Sequence, residues 1–360
     1  MKGKKPTIRD VAVRARVSPA TVSYVLARRA DKSISAGTQG RVRRAARDLG
    51  YQPNHMARAL RTRRSGSIGV IIPGMTDPTM SLIVKGVEVA AAQAGYGVLV
   101  HDLEGKQDRA EGVRQFCARA LDGLIYAFPP DRDADVLAVI AAARVSCVAI
   151  GRRIKGMGCV RYDQRARGRH LAEHLMEFGH QHIAILTRPP SSRMSQRIEG
   201  VRAAMWERGL RVDVLVLHPE GGERALFYDA REYDMGFEAV GRLFARRIPY
   251  TALIGTNDMV AAGAVHAAQA MGIRIPRDLS VASFGGFFLS EVVQPKLTAE
   301  RTPHVEAARR AFKMLAEAMT EEMKMGTREE ILPTDLIVRG STGPAPTGRS
   351  RGIRHEMATR

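Results

Sequence analysis

The sequence predicts a chain in two parts, a small basic helical headpiece followed by a long α/β region built as two parallel-sheet halves. Three observations carry that prediction. Between Met1 and Ser65 there are 17 Lys and Arg against 3 Asp and Glu, so +14 of the net +19 of all 360 residues lies there. Apolar residues in that stretch recur at helical spacing. From Ser67 onward, short β-branched runs alternate with amphipathic segments, the pattern of parallel sheets with helices on both faces.

In the headpiece, Ile8, Val11, Ala12 and Ala15 mark a first short helix with Thr7 as its N-cap. Val17 fills the turn. Ser18 caps a second helix with Pro19 at its first position, where a missing N–H costs nothing. Val22, Val25 and Leu26 point inward, which leaves Pro19, Ala20, Thr21, Ser23 and Tyr24 near the exposed N-terminal end. Two short helices joined by a tight turn make a helix-turn-helix. Ser35 caps a third helix that turns Val42, Ala45, Ala46 and Leu49 to the same core, and Gly50 ends it. Charge this concentrated is the footprint of a polyanion partner, and the pattern points to DNA more than to a membrane.

These residues carry a family resemblance. I-x-D-V-A, V-S-x-x-T-V-S-x-V-L, R-V-x-x-A-A-x-x-L-G-Y-x-P-N and A-R-x-L occur in order in the headpiece. The chain resembles the lactose/galactose repressor family of bacterial transcription regulators from about Thr7 to about Gly340. The resemblance implies a homodimer that binds a pseudopalindromic double-stranded DNA operator under the control of a small-molecule effector. Pro19 and Ala20 stand at the positions the family uses most to distinguish operators, and Tyr24 stands where an arginine is common. The first two offer apolar contact, for example with thymine methyls, and Tyr24 offers no bidentate fork to guanine. Thr7, Ser18, Thr21, Ser23 and Asn54 suit phosphate contacts that set register.

Residues 54–66 form the linker. Ala57, Arg58 and Leu60 precede a basic run of Arg61, Arg63 and Arg64, then Ser65-Gly66. So short and so charged a segment would barely hold a helix alone. The resemblance implies a hinge helix that forms in pairs over the minor groove, with Arg58 in the motif and Leu60 as a wedge between central base steps.

In the α/β region the predicted strands are 68–72, 98–102, 123–128, 147–151, 183–186, 214–217, 253–256 and 281–284. The predicted helices are 80–94, 109–120, 165–178, 196–208, 231–246, 259–271 and about 305–323. Two such sets make a bilobed receptor with a cleft. The resemblance implies two flavodoxin-like subdomains similar to a periplasmic binding protein, crossed three times, near 163–168, 297–302 and 331–339. The expected organisation is a headpiece over 1–53, a hinge over 54–66 and a core over 67–340. Within the core, lobe 1 is 67–163 plus 303–330 and lobe 2 is 168–297 plus 331–340. Residues 341–360, rich in Gly, Pro, Ser and Arg, read as a disordered tail with no leucine heptads, so a dimer is the expected state.

For the effector, the resemblance implies Asp163 in Asp163-Gln164, Arg197 in Arg-Ile-Glu-Gly, and Asn257 in Asn257-Asp258-Met-Val-Ala-Ala-Gly, at strand ends facing the cleft. Asp163 and Asn257 equally suit the caps of the helices that follow them, and Arg197 suits a surface ion pair. Two family features are altered. Asn-Pro followed by aromatics is Asp77-Pro78-Thr79-Met80 here, and Gly-Phe-Asp-Asp is Ser283-Phe284-Gly285-Gly286. Thr79, Met80 and Gly285 therefore stand at effector positions with an aromatic platform and a carboxylate removed. The resemblance implies a sugar, sugar acid or related metabolite as the effector. An anionic or less hydroxylated effector suits the change, as does a core that binds none and serves dimerisation alone.

Other chemistry is weakly signalled. No Ser-His-Asp or Cys-His motif points to an enzyme, no Gly-x-Gly-x-x-Gly turn follows a strand, and no cofactor or metal is expected. His170 and His174 lie four apart without a third ligand. Cys117, Cys147 and Cys159 are scattered in apolar stretches, which suits reduced thiols in a cytoplasmic protein. No apolar run follows the basic Met1–Pro6, and none reaches membrane-spanning length.

Overall fold

The computed structural model describes residues 6–26, 34–51, 64–105, 108–189, 191–217, 230–245, 250–320 and 328–347. The chain divides into two compact units, Met1–Gly66 and Ser67–Arg360.

In the first unit, α1 (Ile8–Ala15), α2 (Pro19–Leu26) and α3 (Ala36–Asp48) surround a core of Val11, Ala12, Ala15, Val22, Val25, Val42, Ala45 and Ala46. Asp10 accepts from the Thr7 backbone N–H at 2.7 Å and from its hydroxyl at 2.8 Å, closing the start of α1. Arg16 takes a left-handed conformation at φ 53°, which turns the chain toward α2. The Ser18 hydroxyl accepts from Thr21 N at 3.1 Å and so caps α2. Ser35 accepts from Thr38 N in the same way at α3.

The second unit holds two six-stranded sheets. Its elements begin β1 (Ser67–Ile72), α4 (Pro78–Gln93), β2 (Gly97–Asp102), α5 (Arg109–Cys117), β3 (Gly123–Ala127), α6 (Ala134–Ala142), β4 (Cys147–Ile150) and β5 (Gly158–Tyr162). There follow α7 (Gln164–Glu177), β6 (Ile183–Thr187), α8 (Ser192–Trp206), β7 (Val212–Val216), α9 (Ala230–Ala245), β8 (Ala252–Gly255), α10 (Asp258–Ala270) and β9 (Ser280–Ser283). The chain closes with α11 (Phe288–Val292), β10 (Thr298–Arg301), α12 (His304–Thr320), β11 (Glu329–Leu332) and β12 (Asp335–Ile337).

The first sheet runs β11-β5-β4-β3-β1-β2, with all its pairings parallel. The second runs β12-β10-β9-β8-β6-β7, parallel except for the edge pair β10–β12. Strands β1, β3 and β4 are buried along almost their whole length, as parallel strands covered on both faces must be. The chain passes between the sheets after Tyr162, after Arg301 and after Leu332.

Several elements differ from the sequence reading. β5, β10, β11, β12, α6 and α11 were not expected. Ile331 and Leu332 pair with Arg161 and Tyr162 in the first sheet, so the last crossing begins at residue 333 and not 331. Residues 341–347 are also packed, against the expectation of a tail that is disordered from Ser341. Ser341 accepts from Thr298 N at 2.8 Å, Thr342 bonds the Thr298 and His174 side chains, and Gly343 N donates to Ser280 Oγ at 3.1 Å. Small polar side chains there satisfy buried groups of β9 and β10 that no further strand covers. Residues 348–360, and Asn54, Arg58 and Leu60 of the hinge, lie outside the described residues.

Candidate functional site

In the first unit, the expected DNA-contacting residues that are described gather at one place. Pro19 and Ala20 are exposed at the first turn of α2, with Thr21, Ser23 and Tyr24 half-buried beside them. Thr7 and Ser18 are exposed, but their side chains are engaged as caps. A shallow groove beside this turn is lined by Arg9, Val13, Arg16, Val17, Ser18 and Pro19. Val13 there is 79% exposed, unusual for an apolar side chain in so small a domain. A helix N-terminus flanked by arginines attracts phosphate through its dipole and their charge.

In the second unit, the carboxyl ends of both sheets meet. Phe128 follows β3 with φ 46°, a left-handed backbone that a bulky side chain rarely adopts. Its ring is accommodated because residue 151, after β4, is glycine: a Cβ there would fall 2.4 Å from the ring. Phe128 lies edge-on to His304 at 5.7 Å, Tyr162 does the same at 5.8 Å, and Phe287 stacks on His304 at 5.4 Å. From α8 of the other half, the Arg193 guanidinium sits 5.0 Å over Phe128 and that of Arg197 sits 5.2 Å over Phe284. Arg197 Nε donates to Gln164 Oε1 at 2.7 Å, and Arg167 Nη1 donates to the same oxygen at 3.1 Å.

The electrostatics follow from burial. His304 is held well below its ordinary pKa, first by desolvation and then by the fields of Arg167, Arg197 and Arg193, so the ring is neutral. Burial draws Arg167 down to about 10, which leaves it charged at neutral pH. Asp131, in the loop after Phe128, accepts from Ser192 N at 2.7 Å and from Ser192 Oγ at 2.6 Å, a clasp from one half to the other. Desolvation opposes its ionisation, but the Ser192 bonds and the charges of Arg152 and Arg193 hold its carboxyl below the ordinary range.

The expected effector residues divide. Arg197 joins the cluster just described. Asp163 is exposed and caps α7 by accepting from Ala166 N at 2.9 Å. Asn257 caps α10 by accepting from Val260 N and donates to Glu232 Oε2 at 2.7 Å. Met80 corrects the expectation: at 1% exposed it packs into the core of the first half with Ile83 and Val87, because α4 needs an apolar anchor there. Thr79 is buried beside it, its N–H bonded to the Asp77 cap. Gly285 faces Asp258, whose carboxylate a Cβ at 285 would meet at 2.2 Å.

Sequence reasoning missed Phe128, Tyr162, Phe287, His304, Arg167 and Arg193. The legible clue was the pair of arginines four residues apart, Arg193 and Arg197, with no acid between them. His174 and His180 prove structural: the former bonds Thr342, the latter bonds Thr251, Ser280 and the Gly343 carbonyl. Among the described residues no group of three or more His, Cys, Asp or Glu is placed to hold a metal.

Comparison with known proteins fits both units. A model described as bacterial regulatory proteins, lacI family, matches residues 7–54, and one described as a periplasmic binding protein-like domain matches residues 172–342. The HTH-type transcriptional repressor CytR of Escherichia coli (strain K12) is 30% identical over 355 residues, covering 96% of this chain and 100% of the relative. The ribose operon repressor of the same strain is 28% identical over 339 residues, covering 93% and 99%. A crystal structure of the Lac repressor dimer bound to operator and the anti-inducer ONPF aligns at TM-score 0.79 and 27% identity, covering 94% of this chain and 100% of that one.

Proposed function

The chain belongs to the lacI family of bacterial regulatory proteins, and from that premise we propose that it is a cytoplasmic, non-enzymatic repressor that grips a pseudopalindromic operator as a homodimer under the control of an effector bound between the two α/β halves. The observation that carries the reading is the first turn of α2, where Pro19 and Ala20 stand exposed on a headpiece holding most of the net charge. In this reading Pro19, Ala20 and Tyr24 meet base edges. Thr7, Ser18, Thr21, Ser23, Asn54 and Arg58 fix the register on phosphates, and Leu60 wedges the central step.

On the effector side, Arg197 binds ligand. Thr79, Asp163, Asn257 and Gly285 shape the cleft through the caps and backbone they hold. Exposed Leu99 and Val100 on the edge strand β2 support a second copy as partner. Among the described residues no helix is long and apolar enough to cross a membrane.

Retention of a promoter fragment, beginning with the one beside its own gene, tests the reading in a gel-shift series at rising salt. Sequence-specific retention whose affinity falls steeply with salt is expected. Equal retention of unrelated fragments overturns it.

A further inference from the structure

Resting on the reading that the strand-end cleft holds an effector, we propose that this effector is a small planar anion, an aromatic or unsaturated carboxylate, with its ring against Phe128 and His304 and its charge against Arg193 and Arg197. Loss of the aromatic platform at Thr79-Met80 does not leave the cleft without one. Phe128 and His304 supply rings from other segments, and Phe287 stacks on His304 at an interplanar angle of 21°. Phe128 sits there at the expense of a left-handed backbone, and Gly151 is the residue that admits its ring. Such a conformation persists where the surroundings over-determine it, and it clusters at ligand sites.

Charge points the same way. The fields that reach His304 come from three arginines. The nearby carboxylates are already bonded to the chain's own donors: Asp131 to Ser192, Asp77, whose charge also reaches Arg193, to Thr79 N, Glu232 to Asn257 and Arg188, Asp258 to Ser283 and two backbone N–H groups. Donors remain over. Gln164 is 3% exposed and Arg167 is 2% exposed, yet Gln164 Nε2 and Arg167 Nε have no hydrogen-bond partner. The buried acceptor left over, Glu300 Oε2, belongs to the residue whose charge Arg167 feels. A polyol presents donors and acceptors together and needs protein acceptors in return. A carboxylate is acceptor-only, which matches surplus amide and guanidinium N–H groups.

The test is thermal unfolding of the full chain with benzoate, 4-hydroxybenzoate, benzyl alcohol, acetate or ribose, since a ligand that binds only the folded state raises the melting temperature. A rise with the two ring carboxylates, and little or none with the uncharged ring or the ringless anion, is expected. Arg193→Gln then weakens benzoate by about tenfold or more, the effect of losing a charge-assisted hydrogen bond, and Arg193→Lys weakens it less. Ribose raising the melting temperature while both ring carboxylates are inert overturns the proposal and leaves the effector reading standing. Absence of a shift with all five overturns the proposal, and the effector reading, which covers other small metabolites, stands apart from that result. An Arg193→Gln chain that binds benzoate as tightly as the unaltered one also overturns the proposal.

Discussion

Position 285 gives the most demanding test of this cleft, because the family residue there cannot be restored without cost. An added Cβ would lie 2.2 Å from Oδ1, 2.4 Å from Cγ and 2.6 Å from Oδ2 of Asp258. Something must move, and the movable group is the fully buried carboxylate at the start of α10. Asp258 accepts from Ser283 Oγ at 2.5 Å, from Gly286 N at 3.1 Å and from Phe287 N at 2.8 Å, and it thereby fixes the turn that presents Phe287 to His304.

A hydrogen bond to a charged group is worth about 1.5–3 kcal/mol net. Forfeiting one or two of the three therefore puts the cost of Gly285→Ala at about 1.5–6 kcal/mol. For a unit of this size, unfolding entropy of about 2.1 cal/mol/K per residue converts this to a fall of about 2–10 °C in melting temperature. Gly285→Asp is expected to fall further, since it sets a second carboxylate against a buried one. Thermal unfolding followed by circular dichroism measures both. The double variant Asp258→Ala/Gly285→Asp separates the causes: with the clash removed and a carboxylate returned nearby, its loss is smaller than the sum of the single losses. Additive losses, or a Gly285→Ala chain that melts with the unaltered one, refute the reasoning.

Three further outcomes are expected. The pKa values of His304, His174 and His180 lie below the ordinary 6.5, chiefly through desolvation, so the folded state binds fewer protons than the unfolded one. Stability is therefore full above 6.5 and declines as pH drops through that value, opposed by the raised Asp77, Asp258 and Glu232; urea unfolding across mildly acidic pH, flattened in His304→Gln, checks it. Ser18→Ala removes the cap of α2 and is expected to cost about 0.5–2 kcal/mol, lowering headpiece stability and operator affinity together in unfolding and gel-shift assays. Leu60→Ala weakens operator binding and reduces DNA bending, and unchanged affinity and bend angle in circular-permutation gel shifts count against a wedge.

The parts legible in the sequence were those whose signals are local. Apolar spacing and caps placed α1, α2 and α3, and β-branched runs placed the buried strands β1, β3, β4, β6 and β8. The elements that escaped notice lack a periodic contrast. α6 reads ADVLAVIAA, apolar on nearly every side, and the edge strands β11 (EEIL) and β12 (DLI) are too short and polar to stand out. The cleft escaped for a different reason. Phe128, Tyr162, Phe284, Phe287 and His304 come from segments scattered along the chain, and only the crossing of the chain between sheets brings them together. Asp163 and Asn257 matched a motif, but the motif serves first to cap helices, and the packing of α4 claimed Met80 for the core.

Where the cleft residues lie bears on how a ligand would work a switch. Gln164 opens α7 directly after the first crossing, His304 opens α12 after the second, and Thr334 in the third bonds Glu300. Groups that would touch an effector are thus the groups at which the chain passes from one half to the other. The Asp131–Ser192 clasp joins the halves as well, yet both residues are exposed, so water discounts its two bonds to about 1–2 kcal/mol together. Moving a two-state equilibrium from mostly open to mostly closed takes about 5.5 kcal/mol of differential affinity. The clasp alone falls short of that. The remainder must come from a ligand, and the buried Gln164 Nε2 and Arg167 Nε, which have no hydrogen-bond partner here, are where the proposed one would gain it.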